Sequence, residues 1–280
     1  METLFVETLS NQLSQAYWIR VVTLMCLVLF PGTGFAEPKF FNSAGVQIRY
    51  TDDGKGEPIV LIHGFTGSLD GWTRVGVHEK LVKEFRVIAL DCRGHGESDK
   101  PHDPKKYGSE MAEDIIRLLN HLKIEKAHLV GYSMGARLTG YLLVNKPERL
   151  ITVTLGGSPP RLSSADHKER AKRFISNVQE QARTADASDG QDYKALAAIP
   201  LSWEEQVVSE SQLSSTTVPT IAIVGSEDPR LFGMKELKNI MPALKLVVID
   251  GATHGGDDGA LRRPEFIHTV YDFIYSHRLQ

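Results

Sequence analysis

The chain has 280 residues, of which 41% are hydrophobic, and this is enough apolar material for one sizeable core. Its formal net charge is -3, and acidic and basic residues are interspersed, so nothing indicates a nucleic-acid groove or a strongly anionic partner. The two cysteines, Cys26 and Cys92, provide neither a disulfide framework nor the spacing of a metal site.

The amino terminus has the pattern of a secretory signal. A mostly apolar run from Val21 to Phe30 follows Arg20, and small residues ending at Ala36 suit a signal peptidase. We therefore expect residues 1–36 to be a signal peptide and the protein to be exported, either periplasmic or secreted. The run is shorter than the roughly 20 apolar residues of a membrane span, so no stable span is expected after cleavage. A retained membrane anchor and a cytosolic tail are the alternatives, because two glutamates and a single arginine precede the run.

From residue 40 onward, short apolar runs alternate with helical patterns. Most of these runs are continuous, which is typical of strands covered on both faces. A hairpin with its turn at 42–45 is expected first. The predicted strands are Phe40-Phe41, Val46–Tyr50, Pro58–Ile62, Arg86–Leu90, Lys126–Val130, Leu150–Leu155, Thr220–Val224 and Leu246–Ile249.

Helical patterns fill the intervals between these strands. We expect Ser109 to be an N-cap and Pro264 to lie in a first helical turn. The predicted helices are 71–85, 109–122, 134–145 and a last helix that opens near Pro264. Strands that alternate with helices predict a parallel sheet with helices on both faces, and such sheets bind ligands beyond the carboxyl ends of their strands.

Residues 160–217 interrupt this alternation because they are polar and contain no strong strand. One amphipathic helix is expected at 171–182, and two shorter ones at Tyr193–Ile199 and Trp203–Leu213, separated by Pro200. The insertion follows a strand whose end lies beside the expected site, so we interpret it as a helical cap or lid. The alternative is a helical loop that packs at the sheet edge without a role in substrate binding.

The central motif lies between the fifth predicted strand and the helix at 134–145. The five residues Gly131-Tyr132-Ser133-Met134-Gly135 match G-x-S-x-G, in which a sharp strand-to-helix turn holds the serine in a strained, exposed position. The helix that begins just beyond Ser133 points its unpaired N–H groups at whatever the serine attacks. A glycine-bracketed helix cap is the alternative interpretation of this stretch alone.

Five motifs, each following a predicted strand, resemble those of the α/β-hydrolase family and occur in the same order. They are His63–Gly67, Asp91–Ser98, Gly131–Gly135, Val224–Pro229 and Gly251–Gly255. The resemblance covers nearly all of residues 40–280. It implies an α/β fold with a mostly parallel central sheet, helices on both faces and a small helical cap insertion. The expected hydrolase domain is 37–280, with the cap at about 160–217.

The chemistry of such a site can be argued from its parts. A serine hydroxyl needs a base, histidine suits that role near neutral pH, and a carboxylate on the far side of the imidazole fixes its tautomer. The family presents these groups in the order serine, acid, histidine. Ser133, Asp228 and His254 have this order, so the resemblance implies them as a catalytic triad. Glu227 is adjacent and could substitute, but Asp228 matches the family's position.

The resemblance also implies an oxyanion hole. In the family this hole consists of two backbone N–H groups, which would belong here to Phe65 and Met134. We expect their side chains to wall a substrate pocket together with Leu69 or Trp72. His63 is expected to brace the same loop through hydrogen bonds. No metal site and no organic cofactor is implied.

The expected activity is hydrolysis of a carboxylic ester or related acyl bond in a small-molecule substrate, through an acyl-enzyme on Ser133. Dehalogenases and epoxide hydrolases of the family carry aspartate at the nucleophile position, so serine disfavours both. Thioester and lactone hydrolysis, a carbon–carbon bond hydrolase and a cofactor-free haloperoxidase or perhydrolase stay open as alternatives. A ligand-binding or sensing protein with a retained triad is the alternative from a different class.

Overall fold

The computed structural model describes residues 39–163, 167–184 and 190–279. The predicted signal peptide at 1–36 lies outside these residues, so its assignment stays a prediction. Within the three described ranges, no helix is both long and apolar enough to cross a lipid bilayer.

A mostly parallel sheet forms the centre of the fold. The strands of the described residues are β1 (Lys39–Ser43), β2 (Val46–Gly54), β3 (Pro58–Ile62), β4 (Arg86–Leu90), β5 (Ala127–Tyr132), β6 (Leu150–Gly156), β7 (Arg161–Leu162), β8 (Val207–Val208), β9 (Thr220–Gly225) and β10 (Lys245–Ile249). Eight of them form one sheet in the order β1-β2-β4-β3-β5-β6-β9-β10. Only β1-β2 and β2-β4 are antiparallel pairs in this sheet, while β7 and β8 pair separately. This topology confirms the predicted fold class.

Helices follow most of the parallel strands. The described α-helices are α1 (Asp70–Arg74), α2 (Val77–Leu81), α3 (Ser109–His121), α4 (Met134–Asn145), α5 (His167–Thr184), α6 (Tyr193–Ala198), α7 (Glu210–Ser214), α8 (Leu231–Ile240) and α9 (Pro264–Tyr275). Short 3₁₀ helices occur at Pro104–Lys106, Pro147–Arg149, Ile199–Gln206 and Ala260–Arg262.

Alternate residues of the central strands face two different apolar layers. In β3, Val60 and Ile62 pack with side chains of α3, α4 and α8. Ile59 and Leu61 point the other way and pack with side chains of α1, α2 and α9. This alternation follows from the two-residue period of a strand. Because helices cover both faces, the central strands read as the continuous apolar runs seen in the sequence.

Two predicted helix boundaries differ from the structure. The helix predicted at 71–85 is divided into α1 and α2, because Gly76 lies between them with a φ of 78°, a left-handed conformation that interrupts a helix. Ser109 is the first residue of α3 rather than its cap, since Gly108 occupies the capping position. The Ser109 hydroxyl instead donates to the carboxylate of Glu205.

The insertion between β6 and β9 contains α5, α6, α7 and the strand pair β7-β8 among its described residues. The helix predicted at Trp203–Leu213 is broken. A 3₁₀ helix runs through Pro200 as far as Gln206, and the β-branched pair β8 follows it. Ser209 then starts α7 with a capping box. The interpretation of the insertion as a lid stays a prediction.

Gly135 is a position where the fold leaves no room for a side chain. A Cβ there would overlap the carbonyl oxygen of Ile62, and this oxygen belongs to the backbone of β3. We therefore expect Gly135→Ala to lower the free energy of unfolding by about 1–3 kcal/mol or more, as overpacking does elsewhere. Urea denaturation followed by circular dichroism measures this change.

Gly71→Ala is the matched control, because Gly71 is also helical and a Cβ there meets only the end of the flexible Arg74 side chain, at 3.9 Å. Its free energy of unfolding should be unchanged or raised by up to about 1 kcal/mol. Equal losses in the two variants would contradict the close contact between α4 and β3.

Candidate active site

Ser133 lies at the turn between β5 and α4. Its φ of 54° and ψ of -105° form a combination that residues other than glycine rarely adopt. The turn is tight, since a Cβ on Gly131 would overlap the carbonyl group of Gly135. The Ser133 N–H donates to the carbonyl oxygen of Gly156 at 2.8 Å, which ties the turn to β6. This backbone holds the serine hydroxyl at the carboxyl edge of the sheet.

The three side chains predicted as a triad form one hydrogen-bonded chain. His254 Nε2 lies 2.9 Å from Ser133 Oγ, and His254 Nδ1 lies 2.6 Å from Asp228 Oδ2. Because an ionised carboxylate only accepts hydrogen bonds, Nδ1 carries the proton and Nε2 is left to accept the serine proton. The arrangement therefore orients the imidazole as a base for Ser133.

Asp228 follows β9, and its side chain is fully buried. Its Oδ1 accepts from the Arg230 backbone N–H at 2.9 Å. Burial acts to raise the pKa of Asp228, but the hydrogen bonds from His254 and Arg230 outweigh it and hold the pKa below its ordinary value. The carboxylate therefore stays ionised beside the imidazole. Glu227 is exposed, and its side chain has no hydrogen bond to His254 in the described structure, so Asp228 alone occupies the acid position.

Tyr132 holds the loop that carries His254, a role that the sequence pattern did not reveal. Its hydroxyl donates to the backbone carbonyl of His254 at 2.6 Å. The two rings stack with their centroids 5.5 Å apart. Burial raises the pKa of Tyr132, so the hydroxyl keeps the proton that it donates. No sequence signal could indicate this role, because any residue satisfies the second position of G-x-S-x-G.

Phe65 and Met134, whose backbone N–H groups are the predicted oxyanion donors, belong to segments that adjoin Ser133. Met134 is the first residue of α4, so its N–H has no acceptor within the helix. The loop that carries Phe65 passes close by, since a Cβ on Gly64 would lie 3.3 Å from Ser133 Cβ. Neither N–H donates to another residue in the described part of the chain. Two free donors beside a nucleophile are suited to stabilise an oxyanion.

His63 braces the loop that carries Phe65. Its Nδ1 donates to the carbonyl oxygen of Gly64 at 2.7 Å, and its Nε2 accepts from the N–H of Cys92 at 3.0 Å. Burial lowers the pKa of His63, which keeps the ring neutral as this pair of bonds requires. The ring of His95 packs edge-on against it at 5.1 Å. His63 thus joins the Phe65 loop to the loop that follows β4.

The two predicted pocket residues, Leu69 and Trp72, lie in the core instead. Trp72 is 1% exposed and Leu69 is 5% exposed, and both pack in the apolar layer of α2 and α9. They are buried because the short helix α1 covers this face of the sheet. The ring of Phe65 instead packs against the ring of Phe174 in α5, with their centroids 5.0 Å apart. The ring of Phe174 also packs against that of Trp203, with their centroids 4.9 Å apart. The apolar wall beside the Phe65 loop is therefore contributed by the insertion.

The metal-ligating residue types are scattered in the described structure. Across the residues that the structure describes, no three His, Cys, Asp or Glu side chains are grouped as metal ligands. Cys92 is buried, and burial raises the pKa of its thiol, so it offers no thiolate. The groups placed at the candidate site are a nucleophile, a base, a carboxylate and two backbone donors.

Comparison with known sequences identifies relatives of this chain. A family model described as the alpha/beta hydrolase fold matches residues 57–197, which is half of the chain. The putative 2-succinyl-6-hydroxy-2,4-cyclohexadiene-1-carboxylate synthase of Bacillus subtilis is 36% identical over 135 residues. That alignment covers 47% of this chain and 48% of the relative. The chain thus spans about half the length, or less, of the curated relatives it matches.

Solved structures share the fold over most of the chain. An esterase from Exiguobacterium antarcticum superposes with a TM-score of 0.72 at 20% identity, and covers 85% of this chain and 100% of its own. A bromoperoxidase from Bacillus anthracis gives a TM-score of 0.71 at 25% identity with the same two coverages. These similarities show that the chain shares this fold.

A fluorophosphonate reagent should label Ser133, because His254 can accept the hydroxyl proton as the oxygen attacks phosphorus. We expect Ser133→Ala to abolish labelling and His254→Ala to slow it by about 10²–10⁴-fold, the usual contribution of a general base. Mass spectrometry of the intact protein and of its peptides measures the rate and the position. Ser215→Ala, at an exposed serine outside the candidate triad, should label at the wild-type rate. Labelling that persists in Ser133→Ala would contradict the assignment of the nucleophile.

Proposed function

The chain belongs to the alpha/beta hydrolase fold family, and from this membership we propose that it is a serine hydrolase that cleaves a carboxylic ester or related acyl bond. The observation that carries the proposal is the hydrogen-bonded chain from Asp228 through His254 to Ser133. It holds a base in contact with a nucleophile, and acyl transfer to a serine needs this arrangement. A small-molecule substrate is proposed with it.

In the proposed reaction, Ser133 Oγ attacks the ester carbonyl carbon while His254 Nε2 takes the hydroxyl proton. Asp228 stabilises the imidazolium that forms, and the N–H groups of Phe65 and Met134 donate to the tetrahedral oxyanion. The intermediate then collapses as His254 returns the proton to the leaving alcohol, and the acyl group stays on the serine. Water repeats the same steps with the acyl-enzyme, which releases the acid and restores the hydroxyl.

Ester hydrolysis is preferred among the reactions of this fold because it needs no group beyond the proposed triad and oxyanion donors. A haloperoxidase or perhydrolase would use the same serine and histidine, with hydrogen peroxide in place of water, and the fold of the bromoperoxidase is similar. A carbon–carbon bond hydrolase would need further polar contacts to a dioxo acid. Assays with added peroxide and with a dioxo-acid substrate therefore separate these alternatives from simple hydrolysis.

We also propose that the insertion at 160–217 acts as a cap over the substrate. The support is the aromatic series in which Phe174 of α5 lies against Phe65 on one side and Trp203 on the other. Phe65 carries one of the two proposed oxyanion donors. A cap that packs on this residue can exclude water while the acyl-enzyme forms.

Purified protein is expected to hydrolyse 4-nitrophenyl butyrate, and Ser133→Ala should reduce nitrophenolate release to the buffer background. Asp228→Asn preserves the shape of the side chain but no longer holds His254 in the required tautomer. We expect its kcat to fall about 10⁴-fold. Initial rates followed by absorbance measure both effects.

Asp257→Asn is the matched control, because Asp257 is exposed and only three residues from His254 in sequence. Its rate should equal that of the wild type. If wild type and Ser133→Ala give the same rate across acetate and butyrate esters, the hydrolase proposal fails, and a ligand-binding protein with a retained triad becomes the better hypothesis.

A further inference from the structure

A cavity of about 680 Å³ lies beside the candidate active site. Its walls come from the first turn of α4, the segment after β6, the turn after Asp228 and one side of α8. Arg137 in its wall lies one helical turn beyond Ser133, and the Arg137 N–H donates to the Ser133 carbonyl at 3.3 Å. The cavity therefore adjoins the two loops that carry the nucleophile and the acid, where part of a substrate could extend.

Arg161 of β7 lines this cavity with a buried side chain. The residue is 8% exposed, and its Nε and Nη2 atoms are shielded from solvent with no hydrogen-bond partner among the described residues. The guanidinium lies over the ring of Trp203 at 4.1 Å, a contact that uses its face and none of its N–H donors. Buried polar groups are nearly always hydrogen-bonded, so these donors suit an acceptor that enters the cavity.

Arg137 adds a second cation to the same wall. Its Nε donates to Ser158 Oγ at 3.1 Å, and its guanidinium lies 5.6 Å from the ring of Trp203. Burial, and after it repulsion from neighbouring arginines, lowers the pKa of Arg137 to about 10 and that of Arg161 to about 9. No carboxylate of the described chain contributes to either shift. A bound anion would offset both the cost of burying these two cations and the repulsion between them.

Arg170 also lines the cavity and repels both Arg137 and Arg161, and the remaining charges there favour a small anion. Arg230 is already paired with Asp228 at 3.4 Å, so it is partly neutralised. Glu210 and Glu236 also line the cavity and would repel a dianion such as a phosphate monoester. A planar carboxylate, by contrast, can accept two parallel N–H bonds from one guanidinium. Carboxylate is therefore the ligand chemistry that fits these walls.

We propose that Arg161 and Arg137 bind a carboxylate of the substrate, so that the enzyme acts on acyl compounds that carry a free carboxylate. This inference rests on the proposed acyl-transfer function and specifies its substrate class. Arg137 is four positions after Ser133, which corresponds to a rise of about 6 Å along a helix. The carboxylate thus belongs a few bonds from the scissile carbonyl, as in monoesters of short dicarboxylic acids or acyl esters of hydroxy acids.

Two matched substrate pairs test the proposal and show which side of the ester carries the carboxylate. Mono-4-nitrophenyl glutarate carries a carboxylate on the acyl side of the ester, and its methyl ester is the neutral partner that lacks this charge. In the second pair, 4-acetoxybenzoate carries a carboxylate on the leaving group, and 4-acetoxybenzamide carries a neutral amide at the same position. In at least one pair, we expect kcat/KM for the anion to exceed that for the neutral partner by about 10- to 100-fold. This ratio corresponds to the free energy that charge-assisted hydrogen bonds typically contribute.

Arg161→Gln and Arg137→Gln should each reduce that anion-to-neutral ratio by about 10-fold or more, chiefly through KM. Arg161→Lys keeps the positive charge but loses the planar guanidinium and its parallel N–H donors. Its anion-to-neutral ratio should therefore lie between those of Arg161→Gln and the wild type. Arg183→Gln is the matched control, because it removes the same positive charge at an exposed position. Arg183 lies on α5 and pairs only with Glu180 in the described structure. Its ratio should match the wild type.

Circular dichroism and urea denaturation report whether each variant folds. If Arg161→Gln fails to fold because it lies in β7, Arg137→Gln decides the test. A wild-type ratio near one in both pairs overturns the proposal, and so does an equal loss of anionic and neutral turnover in a folded variant. Either result leaves the hydrolase function standing if Ser133→Ala abolishes turnover.

A binding measurement separates this inference from failure of the proposed function. Isothermal titration of Ser133→Ala protein with mono-4-nitrophenyl glutarate and with its methyl ester compares affinities without turnover. The anion should bind about 10-fold or more tightly, and adding Arg137→Gln should remove the difference. Equal affinities would overturn the carboxylate subsite. Tighter binding of the anion without any turnover by the wild type would retain the subsite and reject the hydrolase.

Discussion

The left-handed backbone of Ser133 depends on the absence of side chains at Gly131 and Gly135. With glycine at both positions, β5 and α4 approach each other and β3 so closely that a Cβ would overlap backbone atoms of a neighbour. The same turn does two things for the site. It brings Ser133 Oγ within 2.9 Å of His254 Nε2, and it makes Met134 the first residue of a helix, with a free N–H. One steric constraint therefore positions both the proposed nucleophile and one of the proposed oxyanion donors.

The other groups of the site arrive on separate loops, and neutral or backbone hydrogen bonds tie these loops to the sheet. His63 joins the Phe65 loop to the strand end at Cys92, while the Tyr132 hydroxyl holds the carbonyl of His254. Burial keeps the His63 ring neutral and the Tyr132 hydroxyl protonated, so these two side chains do not change charge near neutral pH. The chain Asp228–His254–Ser133 is then the part of the described site to which we assign proton transfer.

The boundaries of β3, β4 and α4 follow from the sequence because buried parallel strands are continuous apolar runs and the glycine-serine turn marks where the helix starts. The break at Gly76 was missed because one glycine within an apolar helical pattern does not reveal a positive φ. Trp72 is predicted from the sequence to line the pocket wall, but the side chain lies in the core. Closeness in sequence to a motif does not indicate which face of the sheet a side chain covers. Tyr132 and Arg161 depend on partners remote in sequence, which no local pattern indicates.

The chemistry and the proposed selectivity come from different parts of the chain. The sheet and its loops carry the proposed nucleophile, base and oxyanion donors, and a family motif accompanies each of them. Arg161 and Trp203 lie in the insertion, and Trp203 contacts both Arg161 and the Phe174 ring that rests on Phe65. One aromatic side chain thus joins the proposed carboxylate subsite to the loop of the oxyanion donors. An insertion that differs between relatives can therefore change the substrate while the reaction stays the same.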